Sequence, residues 1–294
     1  MSILNIMALR HSAFYSPLLM TMAGGFLRDE GLDYHYVLAS PDNTVVDNIN
    51  SGDCHLAQSA VATSFASLEA GEDINIVHFA QINCRDGFFI AAREADTDFT
   101  WDKLIGKKVL VDHFFQPYAM LKYGLYKQGI NIEDLDIIDA GNIEQMDLAF
   151  RNGVADYVHQ QGPAPQQLAH EGIGHVVASV GELVGPVAFS SLCASREWLK
   201  TDMAVAFKRA YGKSLAYVIN APADEIAARE YEAGFFPNIN MNVLAETIRA
   251  YQQLGCWQND TRISQQAYEN LLDIFMHAGL ISTKYEYHRV IVAE

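Results

Sequence analysis

Charge of one sign is scarce in this chain: 20 Lys and Arg stand against 36 Asp and Glu, giving a formal charge of −16. That balance excludes a nucleic-acid groove or an anionic membrane surface as partner, because both demand clustered cations. It leaves a cleft ligand open, since a few local side chains set the potential there. Cysteine is also sparse. Cys54, Cys84, Cys193 and Cys256 are scattered, with no CxxC and no Cys/His group at zinc spacing, so no metal or cofactor is called for. Each is expected as a buried free thiol. No apolar run is long enough to span a bilayer, so membrane insertion is not expected. The opening Met1-Ser2-Ile3-Leu4-Asn5 enters a strand pattern without the basic stretch and apolar core of an export leader. On that reading the protein is cytoplasmic, or periplasmic if a leader has been removed.

What is present is a large apolar inventory. Half of the 294 residues are apolar, which supplies a sizeable core and excludes general disorder. The length suits two lobes of moderate size. Residues 104–165 show how a lobe is built. Val109-Leu110-Val111 is a short strand after the Gly106 turn, and apolar residues then recur at helical spacing until Gly129. A second strand at 135–138, a helix at 143–151 and a third strand at 155–158 follow. This strand–helix alternation predicts a parallel sheet with a ligand crevice at the strands' carboxyl ends.

The same rhythm opens the chain. Strands are expected at 4–9, 34–39, 56–57, 74–82 and 88–92, and helices at 15–27, 43–49 and 63–68. Residues 187–194 read as extended again. Helices are then expected at 203–219, 224–233, 242–254 and 264–278, with Asn242 and Ser264 as N-caps and Gly255 and Gly279 as C-terminal stops.

Four loops at strand ends carry the candidate binding residues. His11, Ser12 and Tyr15 open a helix, where free backbone N–H groups favour a polar or anionic group. Gln58, Ser59 and Thr63 occupy the equivalent place after the third strand. Asp112, His113 and Phe114, with Tyr118, can hydrogen-bond a planar heterocycle and stack on its face. Two adjacent phenylalanines do not easily enter one core, so one of Phe114 and Phe115 is expected at the cleft. His159 and Gln160 form the fourth loop. Arg85, near the hinge, is placed to clamp a carboxylate or sulfonate. Glu144 and Asp147 share a helix face and read as solvated.

Five landmarks resemble one family in their order along the chain. They are His11-Ser12-Ala13-Phe14-Tyr15-Ser16-Pro17, INSGDCHLAQSAVATSFASLEAGEDINIV, LIGKKVLV, LAFRNGVADYVHQQGPAPQQL and Ala194-Ser195-Arg196-Glu197-Trp198-Leu199. The family is the type II periplasmic-binding-protein fold, in the branch of nitrate/sulfonate/bicarbonate and pyrimidine-precursor (NMT1/THI5-like) substrate-binding proteins. The resemblance implies an α/β architecture of two lobes, each a mainly parallel sheet flanked by helices, with a helical C-terminal region. The lobes are expected at 1–93 plus 187–294 and at 94–186, with crossovers near 90–94 and 185–191 and closure by a hinge.

It also implies a solute-binding protein that captures a small aromatic, pyrimidine-like or anionic molecule between the lobes and works with an ABC permease. The side-chain inventory of His, Tyr, Phe, Gln and Ser favours a planar, partly apolar ligand over nitrate or sulfonate. The alternative is a cytoplasmic enzyme on the same fold, such as a decarboxylase, a desulfinase-like hydrolase, another lyase or a thiamin-pyrimidine-related enzyme, for which His11, Cys84, Arg85 and His113 are the candidates. The histidine- and cysteine-rich motif of the pyrimidine synthase is not visible.

Overall fold

The structure is a computed structural model and describes residues 1–292. Among the described residues there are ten strands: β1 (Ser2–Ala8), β2 (Leu32–Leu38), β3 (Leu56–Ser59), β4 (Ile76–Asn83), β5 (Phe88–Ala92), β6 (Lys108–Val111), β7 (Asp136–Ile138), β8 (Tyr157–Gln161), β9 (His175–Ser179) and β10 (Ser190–Ser195). They form two five-stranded sheets, ordered β2-β1-β3-β10-β4 and β7-β6-β8-β5-β9. The α/β architecture and the two sheets are as the sequence implies.

Each sheet is mixed rather than mainly parallel. In the first, β1 runs parallel to β2 and β3, while β10 is antiparallel to β3 and β4. In the second, β6 runs parallel to β7 and β8, while β5 is antiparallel to β8 and β9. The cause lies in the crossovers. β4 ends at the cleft, so β5 must start there and run away from it; β10 likewise enters the first sheet from the cleft side. The first crossover therefore occupies residues 84–87, ahead of the expected 90–94, and β5 pairs in the second sheet although the sequence boundary at residue 93 put it in the first lobe. The second crossover occupies residues 185–189. The two are zipped together where Val187 donates its N–H to Cys84 O at 2.9 Å and Phe189 to Asn83 O at 3.2 Å.

Local chemistry explains most helix ends. Ser264 caps the helix Gln265–His277 by accepting from Ala267 N, and Gly255 closes Met241–Leu254 in the left-handed region (φ 68°), a conformation that favours glycine. The N-cap of that helix is Asn240 rather than Asn242, whose N–H it accepts. The single helix expected over 15–27 is instead Ser16–Ala23 followed by Phe26–Asp29, interrupted at Gly24-Gly25, with Gly25 at φ 78°. The edge strand β9 was not anticipated: its first two residues are exposed, so it lacks the apolar run of a buried strand.

The C-terminal helices do not belong to one lobe alone. Met241–Leu254 packs against Ala164–His170, and Gln265–His277 against Phe115–Lys127. Phe115 meets Phe275 edge-on at 5.3 Å, and Tyr126 lies 4.3 Å from His277. One core cluster accordingly joins Leu4, Ile6 and Phe65 of the first lobe to Val109, Met120 and Leu125 of the second. The lobes are bonded along their backs and face each other across the strand ends. Among the described residues no helix is long and apolar enough to cross a membrane.

Candidate functional site

The carboxyl ends of β1, β3, β6 and β8 meet at this junction. Arg10, just past β1, reaches across it. Its Nη1 donates to Asp112 Oδ2 at 3.0 Å and its Nη2 to Oδ1 at 3.4 Å. The guanidinium carbon lies 4.5 Å from the centre of the Phe114 ring and 5.8 Å from that of Phe88. Arg10 N–H donates to Gln58 Oε1 at 3.1 Å, and Asp112 Oδ1 accepts from Phe114 N at 2.8 Å, so both partners are held from behind.

Gly162, after β8, ties the second lobe to the first by both of its backbone groups. Its carbonyl accepts from Ser12 Oγ at 2.6 Å and its N–H donates to the Tyr251 hydroxyl at 2.9 Å. That hydroxyl in turn donates to Gly87 O in the first crossover at 3.0 Å. A Cβ at Gly162 would stand 2.7–2.9 Å from Thr247, Tyr251 and Gln166, which is why the position carries no side chain.

Two spaces adjoin this arrangement. A narrow cavity of about 40 Å³ is lined by Tyr15, Gln58, Ser59, Phe88, Phe114 and Gln116, with Arg10 and Gln161 shared by its neighbour. The neighbour is a wider mouth of about 350 Å³, bounded by Ser12, Asp112, Glu144, Asp147 and Gln160.

Around them lies an unusual number of buried polar atoms without a partner: both ring nitrogens of His159, both amide atoms of Gln160, Gln161 Nε2, Gln116 Oε1 and Asp86 Oδ2. Buried polar groups in folded proteins are nearly always hydrogen-bonded, so a cluster of orphans at a cleft marks where a ligand or water completes the bonding. His159 is fully buried, with its ring 4.7 Å from Phe88. Burial pushes its pKa down to about 4, so at neutral pH one ring nitrogen donates and the other accepts. Burial pushes Asp86 the other way, up to about 8, although its Oδ1 accepts from Phe88 N. It therefore carries its proton at neutral pH.

The comparisons with known proteins fit this geometry. The model of a family described as NMT1/THI5 like matches residues 13–225. The chain belongs to the NMT1/THI5-like family. A relative in Bacillus subtilis (strain 168), named "Putative binding protein YtlA", is 28% identical over 288 residues, covering 97% of this chain and 86% of its own. Among solved structures, the periplasmic aliphatic sulphonate binding protein SsuA of Escherichia coli superposes with a TM-score of 0.76 at 15% identity, covering 99% of this chain and 97% of its own. The ligand-binding component of an ABC-type import system from Staphylococcus aureus, with zinc bound, gives 0.75 at 17% identity over 99% and 97%. The nitrate-binding protein NrtA of Synechocystis PCC 6803 gives 0.70 at 15% over 96% and 83%. At these identities the structures share the periplasmic-binding-protein fold.

Within this NMT1/THI5-like chain the structure brings Ser12, Tyr15, Gln58, Ser59, Asp112, Phe114 and Gln160 together around the two spaces, with His159 fully buried behind them against Phe88. It does not bring in the others. His11 borders the mouth, but its Nδ1 is bonded to the Tyr36 hydroxyl at 3.0 Å and its Nε2 to Phe235 O at 2.7 Å. Thr63 is exposed and bonds back to Ala60 O. Arg85 donates to Gly181 O at 3.1 Å. His113 bonds to Val111 O and stacks on Tyr118 at 4.9 Å, beside Asp139; neither lines the two spaces. In the turn past the end of β6, Asp112 and Phe114 lie against Arg10 while His113 is bonded back to Val111.

The residues offered for catalysis are not assembled either. The Cys84 thiol points at the carbonyls of Gly255 and Cys256, and burial pushes its pKa up to about 11, which keeps it from being a nucleophile at neutral pH. All four cysteines are buried and free. Sequence reasoning missed Arg10, Phe88, Gln116, Asp86 and Tyr251. Arg10 had a signal: it is the one cation in the four strand-end loops, and Asp112 stands in the loop opposite. Gln116 and Tyr251 come from helices and had none.

The buried titratable groups fix a pH profile. Asp86 and Glu230 are raised to about 8, and His78 and His159 lowered to about 3 and about 4, in each case chiefly by burial. For the acids, the folded state holds more protons than the unfolded one between the ordinary carboxyl range and pH 8, so stability falls as pH rises through that window. For the histidines the unfolded state holds more protons below about pH 6.5, so stability falls as pH drops. The two effects oppose each other in mild acid, and between pH 6.5 and 8 the acids dominate as the unfolded histidines lose their protons. Unfolding free energy is therefore expected to decline from pH 6.5 to 8, with Asp86→Asn reducing the slope by up to about 1.4 kcal/mol per pH unit. Urea titrations at several pH values check this; a rise over that interval contradicts it.

Proposed function

We propose that this protein is a solute-binding protein that captures a small, planar, partly apolar organic molecule of aromatic or pyrimidine type between its lobes and delivers it to an ABC-type importer. The carrying observation is the set of orphaned buried polar atoms on Gln116, Gln160, Gln161 and His159. Amides and a neutral imidazole offer donors and acceptors together, which suits the edge of a heterocycle, and Phe88 and Phe114 offer faces. Import-system components of related fold support the transport assignment. Delivery to an importer would place the protein on the outer side of the membrane. Capture is favoured over chemistry because Cys84 and His11 are each committed to bonds within the fold.

Gln160→Leu tests this reading. Leucine matches the glutamine in size and removes two unpartnered polar atoms, so the ligand-free protein is expected to keep or gain stability, by up to about 1 kcal/mol. Affinity for the molecule released from the wild-type protein is expected to fall by about tenfold or more, since the ligand loses its partners on this side chain. Calorimetric titration measures it, and unchanged affinity would remove Gln160 from the site.

A further inference from the structure

The cations around the cleft are already spoken for. Arg10 and Arg151 are the lysine or arginine residues that line the narrow cavity and its mouth. Arg151 is paired with Asp147, its Nε 2.5 Å from Oδ2, and with Glu171. Arg10 is paired with Asp112 by both terminal nitrogens, and the pair is mostly out of solvent: the side chains are 18% and 6% exposed. Against these two cations, the same walls carry Asp112, Glu144 and Asp147.

We propose that Asp112 determines the ligand's charge class: by occupying the Arg10 guanidinium it excludes sulfonates, carboxylates and inorganic oxyanions, so that the molecule captured is neutral or cationic. The inference rests on the cleft being the binding site. A cleft arginine is the natural receptor for a planar anion, since its fork of donors matches two oxygens at once. Here that fork is filled. An entering anion would have to displace a carboxylate that is itself held by Phe114 N–H, and would then lie beside it with like charge in a poorly screened site. A neutral or cationic heterocycle meets no such opposition. The Arg10 guanidinium, 4.5 Å from the centre of the Phe114 ring, then serves as part of the wall.

Asp112→Asn tests this. Asparagine keeps an oxygen to accept from Phe114 N–H and removes the charge that blocks Arg10. Wild-type protein is titrated with nitrate, methanesulfonate and benzoate in a calorimeter, beside Asp112→Asn and the double variant Asp112→Asn/Arg10→Gln. The wild type is expected to show no saturable binding at millimolar anion. Asp112→Asn is expected to bind at least one of them about tenfold more tightly or better, and the double variant to lose that gain. Saturable anion binding by the wild type overturns the proposal, and so does a folded Asp112→Asn with no gain. Should Asp112→Asn not fold, the wild-type titration alone still decides. If the wild type retains a neutral molecule while Asp112→Asn gains no anion, this inference fails and the binding reading stands; if no small molecule binds either protein, the binding reading itself fails.

Discussion

Gly181→Ala is expected to destabilise the protein by about 3 kcal/mol, although it adds a single methyl group. The helix Val180–Val184 lies back to back with the first crossover. A Cβ at Gly181 would stand 2.3 Å from the carbonyl oxygen of Asp86 and 3.0 Å from Leu254 Cδ2. The first of these is backbone, so no rotamer change relieves it. Either the helix or the crossover must move, and the crossover is fixed by Val187 and Phe189 on one side and by Tyr251 on the other. For a chain of 294 residues the melting temperature should drop by about 5 °C. A loss below about 1 kcal/mol would mean that the two segments are not packed as described.

Tyr251→Phe comes next. The ring is fully buried and packs on Phe14 at 4.8 Å and on Phe89 at 5.6 Å, contacts that phenylalanine retains. What is lost is one hydroxyl that accepts from Gly162 N–H and donates to Gly87 O. Two buried backbone groups are left without partners, at a cost of about 2–4 kcal/mol together. Because Gly162 also receives Ser12, losing the tyrosine hydroxyl leaves the second lobe's cleft loop held by one bond instead of two. Ligand affinity should fall along with stability. Urea unfolding and calorimetric titration of the same sample read both. A stability loss under about 0.5 kcal/mol would show that water replaces the hydroxyl without cost, and that it does not brace the junction.

The βαβ rhythm was legible because it is written locally. Glycines at helix ends and alternating apolar runs fix where elements start and stop, and the four strand-end loops follow from them. Which side chain of each loop faces the cleft is a different matter. Asp112, His113 and Phe114 are consecutive, and the turn past β6 divided them: Asp112 and Phe114 meet Arg10, while His113 bonds back to Val111; the next residue, Phe115, stays exposed with its ring edge-on to Phe275. His11 and Arg10 are also neighbours. The histidine was drawn to Tyr36 and Phe235, and Phe235 lies 224 residues away in the chain, a contact that no local pattern reveals. The mixed order of the sheets and the two-lobed span of the C-terminal helices were hidden for the same reason, since both depend on where the crossovers meet.

The most direct test of the central claim is native mass spectrometry of the purified protein, followed by mass analysis of what it releases on denaturation. One small planar molecule per chain is expected, neutral or cationic, released with its mass unchanged after prolonged incubation with the protein. A bound anion such as a sulfonate would contradict the charge assignment at Asp112. A molecule that the protein converts over time would contradict capture without chemistry.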